Sequence, residues 1–91
     1  MYALVTTSHF DRPAVKFTRT HPELKKHLAR VLRDLESDPF QPRLRLHALK
    51  GELKGLHAVG LTHAYRVTLT LRVTKKEIIL LDIGTHDEVY R

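Results

Sequence analysis

From residue 65 to residue 74 apolar and polar side chains take turns without a break: Tyr65, Val67, Leu69, Leu71 and Val73 alternate with Arg66, Thr68, Thr70, Arg72 and Thr74. A period of two marks a strand with one buried and one wet face, so this segment predicts a strand whose solvent side carries arginine and threonine. The following run, Ile78-Ile79-Leu80-Leu81, has no polar side and predicts a central strand covered on both faces, ended by Gly84. Residues 74–77 supply the hairpin loop between the two. Earlier in the chain Leu24, Leu28, Val31, Leu32 and Leu35 recur at helical spacing, with Lys25, Lys26, Arg30, Arg33 and Asp34 on the other side. Thr20 and Glu23 have the spacing of a capping box and Pro22 falls in the first turn, so the helix is expected to start there and to stop at Asp38-Pro39.

The remaining segments are shorter. Residues 2–7 are β-branched and apolar and predict a first strand. Ser8 ahead of Phe10, Asp11 and Pro13 predicts a short helix through about Phe17. Residues 40–50 form a basic connector, Gly51 and Gly55 punctuate the next stretch, a strand runs to Leu61, and Thr62-His63 makes a turn. The expected fold is therefore α+β, in strand–helix–helix–three-strand order. Its sheet is mostly antiparallel and twisted, with two helices packed on one face. The opposite face would carry the Arg66, Thr68, Thr70 and Arg72 stripe, a surface suited to an extended anionic strand.

Composition narrows the class. Ninety-one residues hold one domain, 1–91, and 42% apolar content is ordinary globular usage. There is no cysteine, which removes disulfides and thiolate metal sites. No apolar run approaches the roughly 20 residues of a membrane span, and no basic segment followed by an apolar one opens the chain. A cytoplasmic protein with no membrane partner is expected. Charge changes the picture more. The net charge is +6, and residues 43–76 hold eight basic groups (Arg43, Arg45, Lys50, Lys54, Arg66, Arg72, Lys75, Lys76) against one acid, Glu52. Such a block attracts a polyanion, nucleic acid foremost, although a merely solubilising surface has the same composition.

The candidate chemistry is set partly by what is missing. Neither G-x-x-x-x-G-K-[ST] nor G-x-G-x-x-G occurs, and a basic block with one carboxylate is poorly suited to Mg²⁺, so no cofactor and no metal is expected. Ser8 and Ser37 lie outside any nucleophile-elbow context. Histidine on a cationic bed remains. RNA brings its own nucleophile, the 2′-hydroxyl, so its cleavage needs a base, an acid for the 5′-leaving oxygen, and positive charge around the phosphorus. Imidazoles can fill the first two roles near neutral pH. His47 stands among Arg43, Arg45, Lys50 and Lys54, and His86 follows Gly84. By spacing alone both remain candidates, since a lone histidine is more often a surface or capping residue.

Three segments add to this: residues 47–55 (His-Ala-Leu-Lys-Gly-Glu-Leu-Lys-Gly), residues 64–67 (Ala-Tyr-Arg-Val) and residues 82–91 (Asp-Ile-Gly-Thr-His-Asp-Glu-Val-Tyr-Arg). Together with the element order they resemble the RelE/ParE toxin superfamily, closest to its YafQ-like branch of type II toxin–antitoxin modules. The resemblance implies a metal-independent endoribonuclease that cuts mRNA, typically on the ribosome, and is silenced by a cognate antitoxin. It implies His47 as general base and His86 as general acid, interchangeable between the two, with Arg66 stabilising the transition state. Lys50 and Lys54 would hold flanking phosphates, Arg45 and Arg72 would add to substrate binding, and Tyr90 would stack on a base or donate a hydrogen bond. The chain departs from the branch pattern where a further histidine and an aspartate are expected, at Gly60 and Ala64. His57 and His63 lie nearby, but His57 shares strand parity with Val59 and Leu61 and points toward a core, and His63 falls in a turn. Two alternatives stay open: a non-enzymatic ParE-type gyrase inhibitor, and a catalytically silent RNA- or partner-binding module of the same fold. No role is expected for His9, His21 or His27; His27, four residues after Glu23, would at most make a surface pair.

Overall fold

A computed structural model describes residues 1–85 of the chain. Five strands and two helices follow in the order β1 (Ala3–Val5), α1 (Ser8–Thr20), α2 (Lys25–Ser37), β2 (His47–Ala48), β3 (His57–Gly60), β4 (Tyr65–Arg72) and β5 (Glu77–Thr85). They build one sheet in the order β1-β5-β4-β3-β2. All neighbours are antiparallel except β1, which lies parallel to β5 with Leu4 opposite Ile78. The expected α+β architecture is the one observed.

Alternation along β4 decides the layering. Val67 and Leu69 point to one side and are fully buried, as are their register partners Ile83 and Leu80, at 5% and 0% exposure. Phe10 and Phe17 of α1 and Leu28, Val31 and Leu35 of α2 close over them, so both helices cover the same face of the sheet. Each such leucine or phenylalanine contributes about 1.5–3 kcal/mol by leaving water. Leu35, with no exposed surface, sits where the apolar stripe of α2 predicts.

Local structure differs from expectation in four places. The N-cap of α1 is Thr7, whose side chain accepts from the Phe10 N–H, and the helix runs on to Thr20. Thr20 therefore ends α1 and caps nothing after it: its Oγ1 donates to the Lys16 carbonyl at 2.8 Å. The Pro22 turn is a separate 3-10 turn over Pro22–Leu24 that leads into α2. A proline-led turn and a helix start share the same sequence signals, so residues 20–23 read equally well either way. The basic connector contains the short strand β2, held by pairing with Ala58 and His57 rather than by any apolar pattern of its own. Finally, β5 is not covered on both sides. Ile78 and Leu80 are buried, whereas Ile79 and Leu81 are only half-buried, and the strand continues through Gly84 to Thr85.

Candidate functional site

The face away from the helices carries the candidate chemistry, and strand register shows how it is laid out. In an antiparallel pair, residues directly opposite share a face. Arg66 of β4 stands opposite Gly60 of β3 on one side and Gly84 of β5 on the other. The guanidinium thus rises from a row whose two lateral neighbours have no side chain. At Gly60 an added Cβ would meet nothing within 4 Å. Arg66 is half-buried and engaged with its surroundings, so it is a held charge and not a loose surface one.

The next row on this face holds His47, Ala58, Thr68 and Asp82 in register across four strands. His47 is exposed on the edge strand β2, and its Nδ1 lies 2.8 Å from the Arg45 carbonyl. A carbonyl oxygen only accepts, so Nδ1 carries the hydrogen, and in the neutral ring Nε2 is left with its lone pair facing outward. That tautomer is the one a general base needs. Ala58 and Thr68 form the floor between His47 and Asp82, with Thr68 at 3% exposure and its hydroxyl without a partner. Asp82 is the single carboxylate in the row, and its Oδ1 accepts from the Ile83 N–H at 2.8 Å.

Between β2 and β3 the chain makes a tight loop in which Gly51 and Gly55 have φ of +69° and +97°, a backbone region that favours glycine. The Leu49 N–H donates to the Leu56 carbonyl at 2.9 Å, closing the loop and presenting Lys50 and Lys54 to solvent. Arg45, also exposed, adopts φ +53°. Arg45 and His47 lie on the β2 edge of this surface near Gly60 and Ala58, whereas the loop with Lys50 and Lys54 lies past the His57–Leu69 pair, toward the Leu71 end of β4 and away from Arg66. Arg72, six residues farther along β4, stands about 20 Å from Arg66 and opposite Glu77. His86 and Tyr90 lie outside the described residues. The last described residue, Thr85, is opposite Tyr65, and β5 is three strand spacings, about 14 Å, from β2.

The other histidines divide by face. His57 is opposite Leu69, shares its helix-covered side as strand parity predicts, and has a buried Nδ1 without a partner. His63 is exposed in the turn before β4. The expectation for His27 is corrected: it makes no pair with Glu23, but is half-buried and hydrogen-bonds through Nε2 to the Leu61 carbonyl, tying α2 to the end of β3. Glu23 instead approaches His21 at 3.6 Å. His21 Nε2 in turn meets the Tyr65 hydroxyl at 2.9 Å, and both rings pack with Phe17 to fasten the end of α1 to β4. Spacing within α2 reveals neither contact, because both partners come from distant segments. The glycines beside Arg66 were legible as glycines, but their role appears only once register sets them beside it.

Among the described residues no group of three or more histidine, aspartate or glutamate side chains is placed to hold a metal ion, and no helix is long and apolar enough to cross a membrane. The sequence matches no protein-family model, and no curated protein is significantly similar to it. Solved structures are similar in shape over nearly the whole chain. YafQ from Escherichia coli strain BL21(DE3) superposes with a TM-score of 0.81 at 15% identity, covering 100% of both chains. A metal-bound toxin from Helicobacter pylori gives 0.80 at 24% identity over 98% of this chain and 99% of that one. A chain of the toxin–antitoxin complex RelBE2 from Mycobacterium tuberculosis gives 0.68 at 20% identity over 93% of this chain and 98% of that one. The fold is that of the RelE/ParE toxins, with YafQ among its near matches.

Proposed function

We propose that this chain is the toxin of a type II toxin–antitoxin module, an endoribonuclease that cleaves mRNA, on the ribosome, in the cytoplasm, and so halts translation. The observation that carries the reading is the Gly60–Arg66–Gly84 row on the face away from the helices, where neither register neighbour of the guanidinium has a side chain and the Gly60 side is open. The likeness of fold to toxins, one of them solved with its antitoxin, supports a cognate antitoxin as partner.

In this scheme the RNA 2′-oxygen attacks the adjacent phosphorus while the P–O5′ bond breaks. His47 Nε2 takes the 2′-hydroxyl proton, and His86 gives a proton to the departing 5′-oxygen. Arg66 offsets the charge that gathers on the non-bridging oxygens, with Lys50, Lys54, Arg45 and Arg72 drawing in the flanking backbone and Tyr90 stacking on a base. The products are a 2′,3′-cyclic phosphate and a 5′-hydroxyl. The scheme requires His86 to reach across the face from the end of β5, so it is tested separately from His47.

The test is expression of the wild type, His47→Ala and His86→Ala, with growth and mRNA integrity followed together. Growth arrest with rapid loss of translated mRNA is expected for the wild type, insensitive to chelator in the purified reaction. Each variant is expected to lose about 10²–10⁴-fold in cleavage rate. Arrest with broken DNA and intact mRNA would replace the reading with gyrase poisoning.

A further inference from the structure

Strand pairing on the outer side of β3 stops at Ala58, because β2 is only two residues long. Past that point the edge opens into a groove of about 320 Å³ lined by Arg43, Arg45, Gly60, Leu61, Thr62 and His63. Three of those six residues are arginine or histidine and none is acidic, so the groove favours an anion. Its walls are fixed. Arg43 donates to Asp34 at 2.9 Å and to Gln41 at 2.8 Å, which pins it and neutralises part of its charge. Arg45 is held at φ +53°, a conformation costing a non-glycine residue about 1 kcal/mol, and its carbonyl is bonded by the His47 ring. Across the groove, Leu61 and Thr62 donate to the Tyr65 carbonyl at 2.9 and 3.2 Å. The Thr62 hydroxyl accepts from the N–H groups of Ala64 and Tyr65, each at 3.2 Å, so His63 rides on a well-bonded turn. His27, bonded to the Leu61 carbonyl, secures the same wall from behind. The floor is Gly60, the residue beside Arg66 in register.

We infer that this groove is a second phosphate seat, which holds the phosphodiester next to the scissile one in single-stranded RNA. The inference rests on the ribonuclease reading and adds a substrate contact to it. An open groove continuous with the Arg66 row suits a backbone that passes through, rather than a small anion enclosed on all sides. Arg45 supplies charge from one wall and His63 a ring N–H donor from the other, and Gly60 leaves the room for the phosphate oxygens to approach the β3 backbone.

The experiment compares kcat/KM on a hexanucleotide RNA with that on a dinucleoside monophosphate, which has the scissile phosphate but nothing to fill the groove. The readout is the ratio of the two values for the wild type, Arg45→Gln and His63→Asn, each checked to unfold at the same urea midpoint. Each substitution is expected to lower that ratio about tenfold, the worth of one charge-assisted hydrogen bond. An unchanged ratio overturns the seat while leaving the ribonuclease reading intact. If the wild type cuts neither substrate, that reading fails, and amide NMR titration with the hexanucleotide decides the seat alone. Saturable shifts at Gly60, Leu61, Thr62 and His63 that weaken in Arg45→Gln would retain it as an RNA phosphate site. Shifts elsewhere only, or none, would overturn it.

Discussion

The two faces of the sheet share one backbone and are built on opposite terms. On the helix-covered side Val59, Val67, Leu69, Ile78 and Leu80 have no exposed surface and share one core cluster with residues of α1 and α2. On the other side the same strands carry Gly60, Arg66, Thr70, Arg72 and Gly84, and among the described residues neither helix lies over them. Consecutive residues of β4 thus serve different ends, Val67 closing a core and Arg66 standing between two glycines. Because strand parity separates the two sets, substitutions on one side are expected to act on stability and on the other to act on binding and turnover.

The largest expected effects test that separation directly. Leu69→Ala should cost about 2–5 kcal/mol of unfolding free energy, read as a lower urea midpoint with cleavage per folded molecule retained. Arg66→Gln should do the reverse, lowering cleavage about 10²–10³-fold while the urea midpoint moves little. If Arg66→Gln unfolds the protein as readily as Leu69→Ala, the division by face is wrong. Thr68 sharpens the comparison, since it lies on the open side yet is buried with an unpartnered hydroxyl. Thr68→Val should leave stability unchanged or raise it by up to about 1 kcal/mol, because it removes a polar group that gains nothing from burial. A loss above that size would mean the hydroxyl has a partner that matters. The smallest effects belong to the loop. Lys50→Ala and Lys54→Ala should each weaken RNA binding a few-fold and reduce the slope of log affinity against log salt by about 0.7–1, as measured by fluorescence anisotropy. A salt-independent affinity would remove nucleic acid as the reason for the basic block.

The division by face was legible before any coordinates, because the alternation from Tyr65 to Arg72 is a local property that tertiary contacts had no reason to override. The stripe on α2 was legible for the same reason. What escaped was made by pairing across distance. β2 has too few residues to show a period, and only Ala58 and His57 make it a strand. Thr20 carries the chemistry of a cap but ends α1, since the Pro22 turn takes up the residues that a single longer helix would need. Candidate site residues were legible by type and motif, and Arg45 and His47 fall on the sheet edge beside the Gly60–Arg66 row, with Lys50 and Lys54 farther along that edge. Their arrangement was not: the glycines flanking Arg66 and the tautomer of His47 come from register and from a backbone carbonyl, neither of which a motif encodes.

The parallel pairing of β1 with β5 has a temporal consequence. Ala3 finds its partner only at Glu77, so the first strand waits through 74 residues of synthesis before its edge can be docked. Closing so long a loop is paid for late and makes folding slow relative to helix formation. A nascent chain still short of β5 lacks Gly84 beside Arg66 and the Ile78, Leu80 and Ile83 side chains of the core. The Gly60–Arg66–Gly84 row is therefore assembled only after β5 has been made and docked.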